Sequence, residues 1–368
     1  MVDCYDYDDL QHTLTHLPVT LDDTYSQILD SITSNDIHKL KAIKILQLLV
    51  FSERPLHVNE VVDAIAVDTN RKPQFDEKRR MPIPQDVARY CKSLVTVSSS
   101  DTGSTSKEKN YADNLVLQLA HFSVKQYLIS NRVHQTFSEV FQEAIARACI
   151  ATTCTAYLLH LDRKRGEIQK FFPFAKYCAR YWLEHAAARK GKEDEAHTLI
   201  MELFGRKEAF VTWLQLNKPD LEPKKLPSPI YYASLGGLQY EVKVLIDQGA
   251  DVNTQGVFYG NALQAASDKG HKKIVQLLLK AGADVNAQGT MYGSALYTAS
   301  LNGHKEIVQL LLEAGADVNT KCKNYGSTLQ AAFYRGRRGR NEIIQLLLEA
   351  GADTTNLKDE LGEDALSI

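Results

Sequence analysis

The sequence predicts a mainly α protein in three parts: three helices closed by one β-hairpin, a helical middle, and a repeat solenoid. Three observations carry this expectation. Gly-Ala-Asp-Val-Asn occurs at Gly249–Asn253, Gly282–Asn286 and Gly315–Asn319, one copy every 33 residues. Self-similarity at a fixed period of this size marks stacked repeats. Ahead of the repeats, apolar residues recur at helical spacing, broken by two short β-branched runs at Leu94–Val97 and Leu115–Leu119.

Each repeat reads as two helices. The first is rich in small residues, as in Asn261-Ala262-Leu263-Gln264-Ala265-Ala266. A Gly-His turn follows, at Gly270-His271 and Gly303-His304. The second carries an aliphatic face, as in Ile274, Val275, Leu277, Leu278 and Leu279. Gly282 then fits a left-handed helix end, and Asp284 and Asn286 are expected to bond the local backbone of a turn. Ala233, Ala266, Ala299 and Ala332 let neighbouring helices approach. A fourth, degenerate copy at Gly351–Thr355 arrives three residues late. The insertion Arg335-Gly336-Arg337-Arg338-Gly339-Arg340 accounts for the delay, and its plainer reading is a solvated loop.

Spacing, caps and core pattern together resemble ankyrin repeats over residues 226–368. The copies are expected at about 228–253, 254–286, 287–319 and 320–355, with a partial cap at 356–368. The family's Thr-Pro-Leu-His becomes Ser228-Pro229-Ile230-Tyr231, Asn261-Ala262-Leu263-Gln264, Ser294-Ala295-Leu296-Tyr297 and Ser327-Thr328-Leu329-Gln330. Hydroxyl or amide caps are kept, while most prolines are missing. Phe333 replaces the serine found at Ser234, Ser267 and Ser300, so the last groove is expected to splay.

The front of the chain opens with an acidic segment, 1–16. Its His12 and His16 have no third ligand at fixed spacing, and the plainer reading is a solvated face. Thr20 and Asp23 form a capping-box pattern before a helix through Tyr25, Ile28, Leu29 and Ile32. A second helix is expected at about Ile37–Phe51, with Leu40, Ile43, Leu46, Leu49 and Val50 inward. Pro55 breaks the chain, and a third helix holds Val58, Val61, Val62, Ile65 and Ala66. A charged loop, a short helix near Asp86–Lys92 and two strands follow. Ser123 and Gln126 suggest a capping box for the next helix.

Three helices and a hairpin over residues 17–133 are the layout of a winged helix. The runs Leu17–Leu29, Leu46–Asp68, Cys91–Val97 and Leu119–Leu128 resemble the winged-helix part of fungal NACHT-type, NOD-like receptors. In that family a P-loop NTPase precedes this region. No Gly-x-x-x-x-Gly-Lys-Ser/Thr occurs here, and Gly191-Lys192 is followed by Glu193. The resemblance assigns His121 a nucleotide-phosphate contact, which would require an NTPase supplied in trans; otherwise it serves structure. Gln126 stands where the family usually has Glu.

Residues 134–225 read as a helical linker. Phe137, Val140, Phe141, Ile145 and Ala148 form one apolar stripe, and Phe171–Ala188 forms another with Phe174, Tyr177, Tyr181 and Trp182 as packing aromatics. Cys178 and His185 share a face but have no third group to orient them as nucleophile and base.

The 368 residues carry a net charge of −2, which gives no global field toward nucleic acid or acidic lipid. The six cysteines form no CxxC, and the acidic opening Met1–Asp6 has no apolar signal core. No apolar run reaches the ~18 residues needed to span a bilayer. The expected setting is cytoplasmic, with the nucleus as the alternative. Arg89, Lys92, Lys107 and Lys109 are too few to favour DNA binding by the winged helix. No metal cluster, triad, dinucleotide fingerprint or phosphate loop is legible, so neither enzyme chemistry nor a cofactor is expected.

The expected function is protein–protein interaction through the solenoid. Its hairpins offer Phe258, Tyr259, Met291, Tyr292, Asn324 and Tyr325, and its concave face offers Asp268, Lys269, Leu301, Asn302, Tyr334 and Arg335. Tyr259, Tyr292 and Tyr325 recur once per repeat, and tyrosine provides large contact area at low entropic cost; packing between hairpins is the competing role. The alternatives are a receptor piece that docks on a NACHT NTPase, and an accessory regulator of a fungal gene cluster.

Overall fold

Thr20 and Asp23 cap each other: Thr20 N donates to Asp23 Oδ2 and Asp23 N to Thr20 Oγ1, both at 3.1 Å. This reciprocal bond starts helix α1, Leu21–Thr33, as the sequence predicts. The structure is a computed structural model that describes residues 20–33, 36–99, 115–133, 135–161, 168–189, 194–218, 227–256, 260–289, 293–322, 326–334 and 340–355. His12 and His16, and the 335–339 part of the basic insertion, lie outside them. The chain divides into two units, Met1–Asn217 and Lys218–Ile368.

In the first unit, α2 spans Asp36–Phe51, and the two-residue strand β1, Leu56–His57, leads into α3, Val58–Ala66. Strands β2, Val95–Ser99, and β3, Leu115–Leu119, pair antiparallel with Val97 opposite Leu117. β1 adds on the other side of β3, with Leu56 opposite Leu117, giving the order β1-β3-β2. The third strand is not foreseen in the sequence, because two residues between Pro55 and a helix carry no alternation. The expected short helix is a 3-10 segment, Pro84–Leu94, interrupted at Lys92 with φ 48°.

The inward face of α2 matches the expected one at Leu46 and Val50 and is otherwise wider or shifted. Leu40 is 71% exposed and Ile43 and Leu49 are half-buried, while Ala42, Ile45, Leu46, Leu48 and Val50 are buried. The second half of the helix is enclosed almost all round, so a one-sided stripe misassigns it. Gln47 is buried there too, and its Nε2 donates to Val140 O at 2.7 Å.

Helix α4, Phe122–Leu128, is capped by His121 rather than Ser123. Ser123 N donates to His121 Nδ1 at 3.2 Å, and Ser123 Oγ is 2.7 Å from Tyr25 Oη. Short α5, Gln135–Ser138, and long α6, Glu143–His160, replace the expected single stripe, and the turn between them leaves Ile145 exposed. After α7, Ile168–Phe171, and Pro173, α8 spans Ala175–Ala187. Helices α9, Glu195–Gly205, and α10, Lys207–Asn217, complete the unit. Phe174, Tyr177 and Trp182 are fully buried, and Trp182 meets Trp213 edge-on with centroids 5.2 Å apart. The aromatics of α8 therefore build core, as expected.

Two polar knots join this core, one around buried Asp63 and one that runs from exposed Glu53 inward to buried His185. Asp63 of α3 accepts from Arg80 Nε at 2.6 Å, from Tyr157 Oη of α6 and from the backbone N–H of Phe174. Arg80 Nη2 donates onward to Phe171 O at 2.7 Å. Burial pushes the Asp63 carboxyl upward, while the Arg80 and Tyr157 hydrogen bonds pull against it. Removing one partner from such a buried pair costs on the order of 3–5 kcal/mol. In the second knot, Arg147 Nη1 donates to Glu53 Oε1 at 2.5 Å and lies 3.3 Å from His185 Nδ1. The guanidinium only donates, so Nδ1 accepts and Nε2 carries the proton, donating to Tyr177 Oη at 2.8 Å.

The second unit is built of helix pairs: α11, Pro229–Leu235, with α12, Gln239–Asp247; α13, Ala262–Lys269, with α14, Lys272–Lys280; α15, Ala295–Asn302, with α16, Lys305–Glu313; and α17, Thr328–Tyr334, with α18, Arg340–Glu349. A two-residue hairpin pair, β4, Lys321–Cys322, and β5, Gly326–Ser327, precedes the last helix pair. First helices stack on first helices and second on second. Ala233, Ala266 and Ala299 are fully buried at the stack, and Ala332 is buried too. Asn261 and Ser294 cap their helices through Gln264 N and Tyr297 N. Gly270, at φ 77°, faces the next repeat's His304 ring, where a Cβ would come within 2.7 Å of the imidazole.

Asp284 bonds its own turn as expected, accepting from Asn286 N at 2.9 Å. Asn286, by contrast, reaches into the next repeat. Its Nδ2 donates to Gly315 O at 3.1 Å and its Oδ1 accepts from Asp317 N at 2.8 Å. Asn253 makes the same two bonds to Gly282 and Asp284, and Asn319 to Gly351 and Asp353. At the equivalent position of the fourth copy, Thr355 bonds Asp353 of its own turn. The expected splay at Phe333 is not seen. α17 packs on α15 as α15 packs on α13, and the Arg340 guanidinium lies 4.8 Å from the buried Phe333 ring centre.

Two outcomes follow from these contacts. Asn286→Ala removes both inter-repeat bonds, so hydrogen exchange at the Asp317 amide should accelerate and the repeat unit should lose about 1–2 kcal/mol in urea unfolding. His185 is held down to about 4 by burial and by the Arg147 charge, against 6.5 for the free side chain. Below pH 6.5 the unfolded state takes up the proton first, so stability falls as pH drops from 6.5 toward 4. The loss is about 3 kcal/mol, and it should be missing from the stability–pH curve of a His185→Gln chain.

Candidate protein-interaction surface

The surface expected to bind a partner is formed by the C-terminal ends of the first helices and by the hairpins between repeats. Asp268 and Lys269 close α13, and Leu301 and Asn302 close α15. Each pair lies just before a left-handed glycine, Gly270 or Gly303, that turns the chain into the second helix.

These residues are partly committed within the solenoid. Asn302 Nδ2 donates to Asp268 Oδ1 at 2.9 Å and to Thr298 O at 2.9 Å. Asp268 Oδ2 is 3.2 Å from Lys269 Nζ, and its backbone carbonyl is 3.0 Å from His304 Nε2. Leu301 packs, half-buried, against a cluster of Tyr297, Cys322 and Ala331. Asp268, Leu301 and Asn302 thus tie adjacent repeats together as well as lining their shared face. Lys269 keeps 45% of its side chain exposed.

Phe258, Tyr259, Met291, Tyr292, Asn324, Tyr325 and Arg335 lie outside the described residues, as does the side chain of Tyr334. The described hairpin positions Gln255, Gln288 and Lys321 are exposed. Beneath the hairpin, Gln264 Nε2 donates to Ala287 O at 2.8 Å and to Gly293 O at 2.7 Å. Its Oε1 accepts from Asn261 N at 2.7 Å. One buried glutamine therefore fixes the base of the next loop. Sequence reasoning reads Gln264 only as a departure from the family's histidine; its recurrence as Gln330 is the signal that was there to find.

His121 is exposed on the first unit. Its Nδ1 is occupied by the Ser123 hydroxyl at 2.6 Å and the Ser123 amide, and its ring lies 4.4 Å from that of Phe122. The neighbouring Phe122 is 67% exposed and Ile129 is 52% exposed. Cys178 and His185 do not meet as nucleophile and base. Cys178 is fully buried with its thiol pushed well up by burial, and both His185 nitrogens are engaged by Tyr177 and Arg147. Arg89 pairs with Asp86 at 3.1 Å and Lys92 donates to Ser31 at 2.7 Å, while Lys107 and Lys109 lie outside the described residues. Among the described residues, no cluster of three or more His, Cys, Asp or Glu fit to hold a metal is present, and no helix is long and apolar enough to cross a membrane.

Comparison with known proteins agrees with this architecture. Residues 183–289 and 290–359 match the family model for ankyrin repeats (3 copies). Residues 29–139 match the model of the GPI inositol-deacylase winged helix domain. The chain is similar to azaphilone pigments biosynthesis cluster protein L of Monascus ruber, with 38% identity over 288 residues. That alignment covers 71% of this chain, which spans 59% of the relative's length. Ankyrin repeats and a winged-helix domain are present in this chain, and neither is a catalytic kind of domain.

Proposed function

We propose that the chain is a non-enzymatic scaffold that binds another protein through the hairpins and first-helix ends of its ankyrin block. One observation supports this most. Ala233, Ala266, Ala299 and Ala332 and the asparagine ladder repeat from copy to copy, whereas the first-helix ends change: Leu235-Gly236, Asp268-Lys269, Leu301-Asn302, Tyr334-Arg335. A constant frame with a varying face suits recognition of one partner. Tyr259, Tyr292 and Tyr325 would supply the contact area. The setting proposed is the cytoplasm, with the nucleus as the alternative.

The relative's name, drawn from a pigment biosynthesis cluster, favours a regulatory role as accessory to a gene cluster. A separate reading is a receptor piece that meets a NACHT NTPase in trans through His121. The exposed Phe122 beside that histidine favours it.

The test uses the full chain and a triple variant, Tyr259→Ala, Tyr292→Ala and Tyr325→Ala, against the partner captured from the native cell. Affinity should fall by more than about tenfold while the thermal midpoint stays put. Unchanged affinity would sink this surface assignment. Leu301→Ala is a poorer probe, because Leu301 also packs between repeats.

A further inference from the structure

The outward stripes of the second helices carry opposite charges. Positions three, four and seven apart share one face of a helix. On α14 the stripe is Lys273, Gln276 and Lys280; on α16 it is Glu306, Gln309 and Glu313; on α18 it is Glu342, Gln345 and Glu349. All six charged residues are exposed, and the opposite faces bury Ile274 and Leu278, Ile307 and Leu311, Ile343 and Leu347. Gln309 Nε2 donates to Glu313 at 2.9 Å and Gln345 Nε2 to Glu349 at 2.8 Å, which orders two of the carboxylates. Lys273, Lys280, Glu306 and Glu342 have no ion-pair partner within 4.0 Å among the described residues.

We propose that this face binds a second copy of the chain. α14 and α16 are both nine residues long, and each places its charges seven residues apart. A two-fold axis in the interface, parallel to the helices and midway between α14 and α16, lays α14 of one protomer against α16 of the other. Lys273 then meets Glu306, and Lys280 meets Glu313, at the same two levels. The symmetry repeats both pairs. An arrangement with α14 on α14 opposes lysine to lysine and is disfavoured, so the charges select the register as well as the partner. Exposed charges with no apolar centre give a weak association that salt disperses.

The experiment is sedimentation velocity on the full chain at about 0.03 M and about 0.5 M salt, where the screening length differs several-fold. A reversible dimer at low salt that disperses at high salt is the expected result. The pair Lys273→Glu with Lys280→Glu should weaken self-association by at least about tenfold, as should Glu306→Lys with Glu313→Lys. Mixing the two variants should restore the dimer, because each then presents the complement of the other. Circular dichroism at matched thermal midpoints checks that both variants fold. The proposal is overturned by a monomer at low salt, by a dimer indifferent to either pair of reversals, or by folded variants that fail to pair when mixed.

Discussion

A helix pair of about 33 residues cannot bury its own apolar face, so each repeat of the second unit depends on the next. Asn253, Asn286 and Asn319 express that dependence in hydrogen bonds. Each accepts the amide of the following turn's aspartate and donates to the carbonyl of the following helix-ending glycine. The second partner is a peptide group whose glycine sits at positive φ, such as Gly315 at 86°. The glycine and the asparagine of the motif are therefore two halves of one joint, supplied by neighbouring copies. With backbone positions fixed in this way, the exposed positions of the face, such as Lys269, can change chemistry without altering the stack, whereas Asp268, Leu301 and Asn302 also help to hold it.

The first unit solves a different problem. Its winged-helix portion and its helical middle share one core, joined by buried aromatics such as Phe75 on Tyr157 and by polar crossings. Asp63, Arg80 and Tyr157 bring three stretches of chain to one carboxylate, and Glu53, Arg147, His185 and Tyr177 form a second such crossing. Buried polar networks stabilise less than apolar packing of equal volume, yet they are unforgiving of misalignment. Fixed geometry between the two portions is the consequence. The exposed corner at His121 and Phe122 is carried on this frame.

The repeats were legible in the sequence because every structural role is written several times at a constant interval. The glycine turns, alanine contacts and caps can each be checked against another copy. The front of the chain gives each signal only once. On α2 the expected face holds at Leu46 and Val50, fails at Leu40 and misses Ala42, Ile45 and Leu48, because Ile45, Leu46, Gln47 and Leu48 are buried in succession, which no amphipathic stripe describes. β1 is two residues long and β-propensity does not register there. The polar knots join residues far apart, such as Asp63 and Tyr157, and no local pattern marks them. The candidate surface was legible as variation at repeating positions. The ties from Asp268 to Asn302 and from Leu301 to its cluster were not, because they depend on inter-repeat distance.

Hydrogen–deuterium exchange on the full chain, with and without its captured partner, tests the central claim most directly. The account predicts added protection at residues 254–260, 287–293 and 320–326 and at the ends of α13 and α15, with none around His121. Protection confined to residues 121–129, or absent from every repeat, would contradict it and move the binding role to the winged-helix corner.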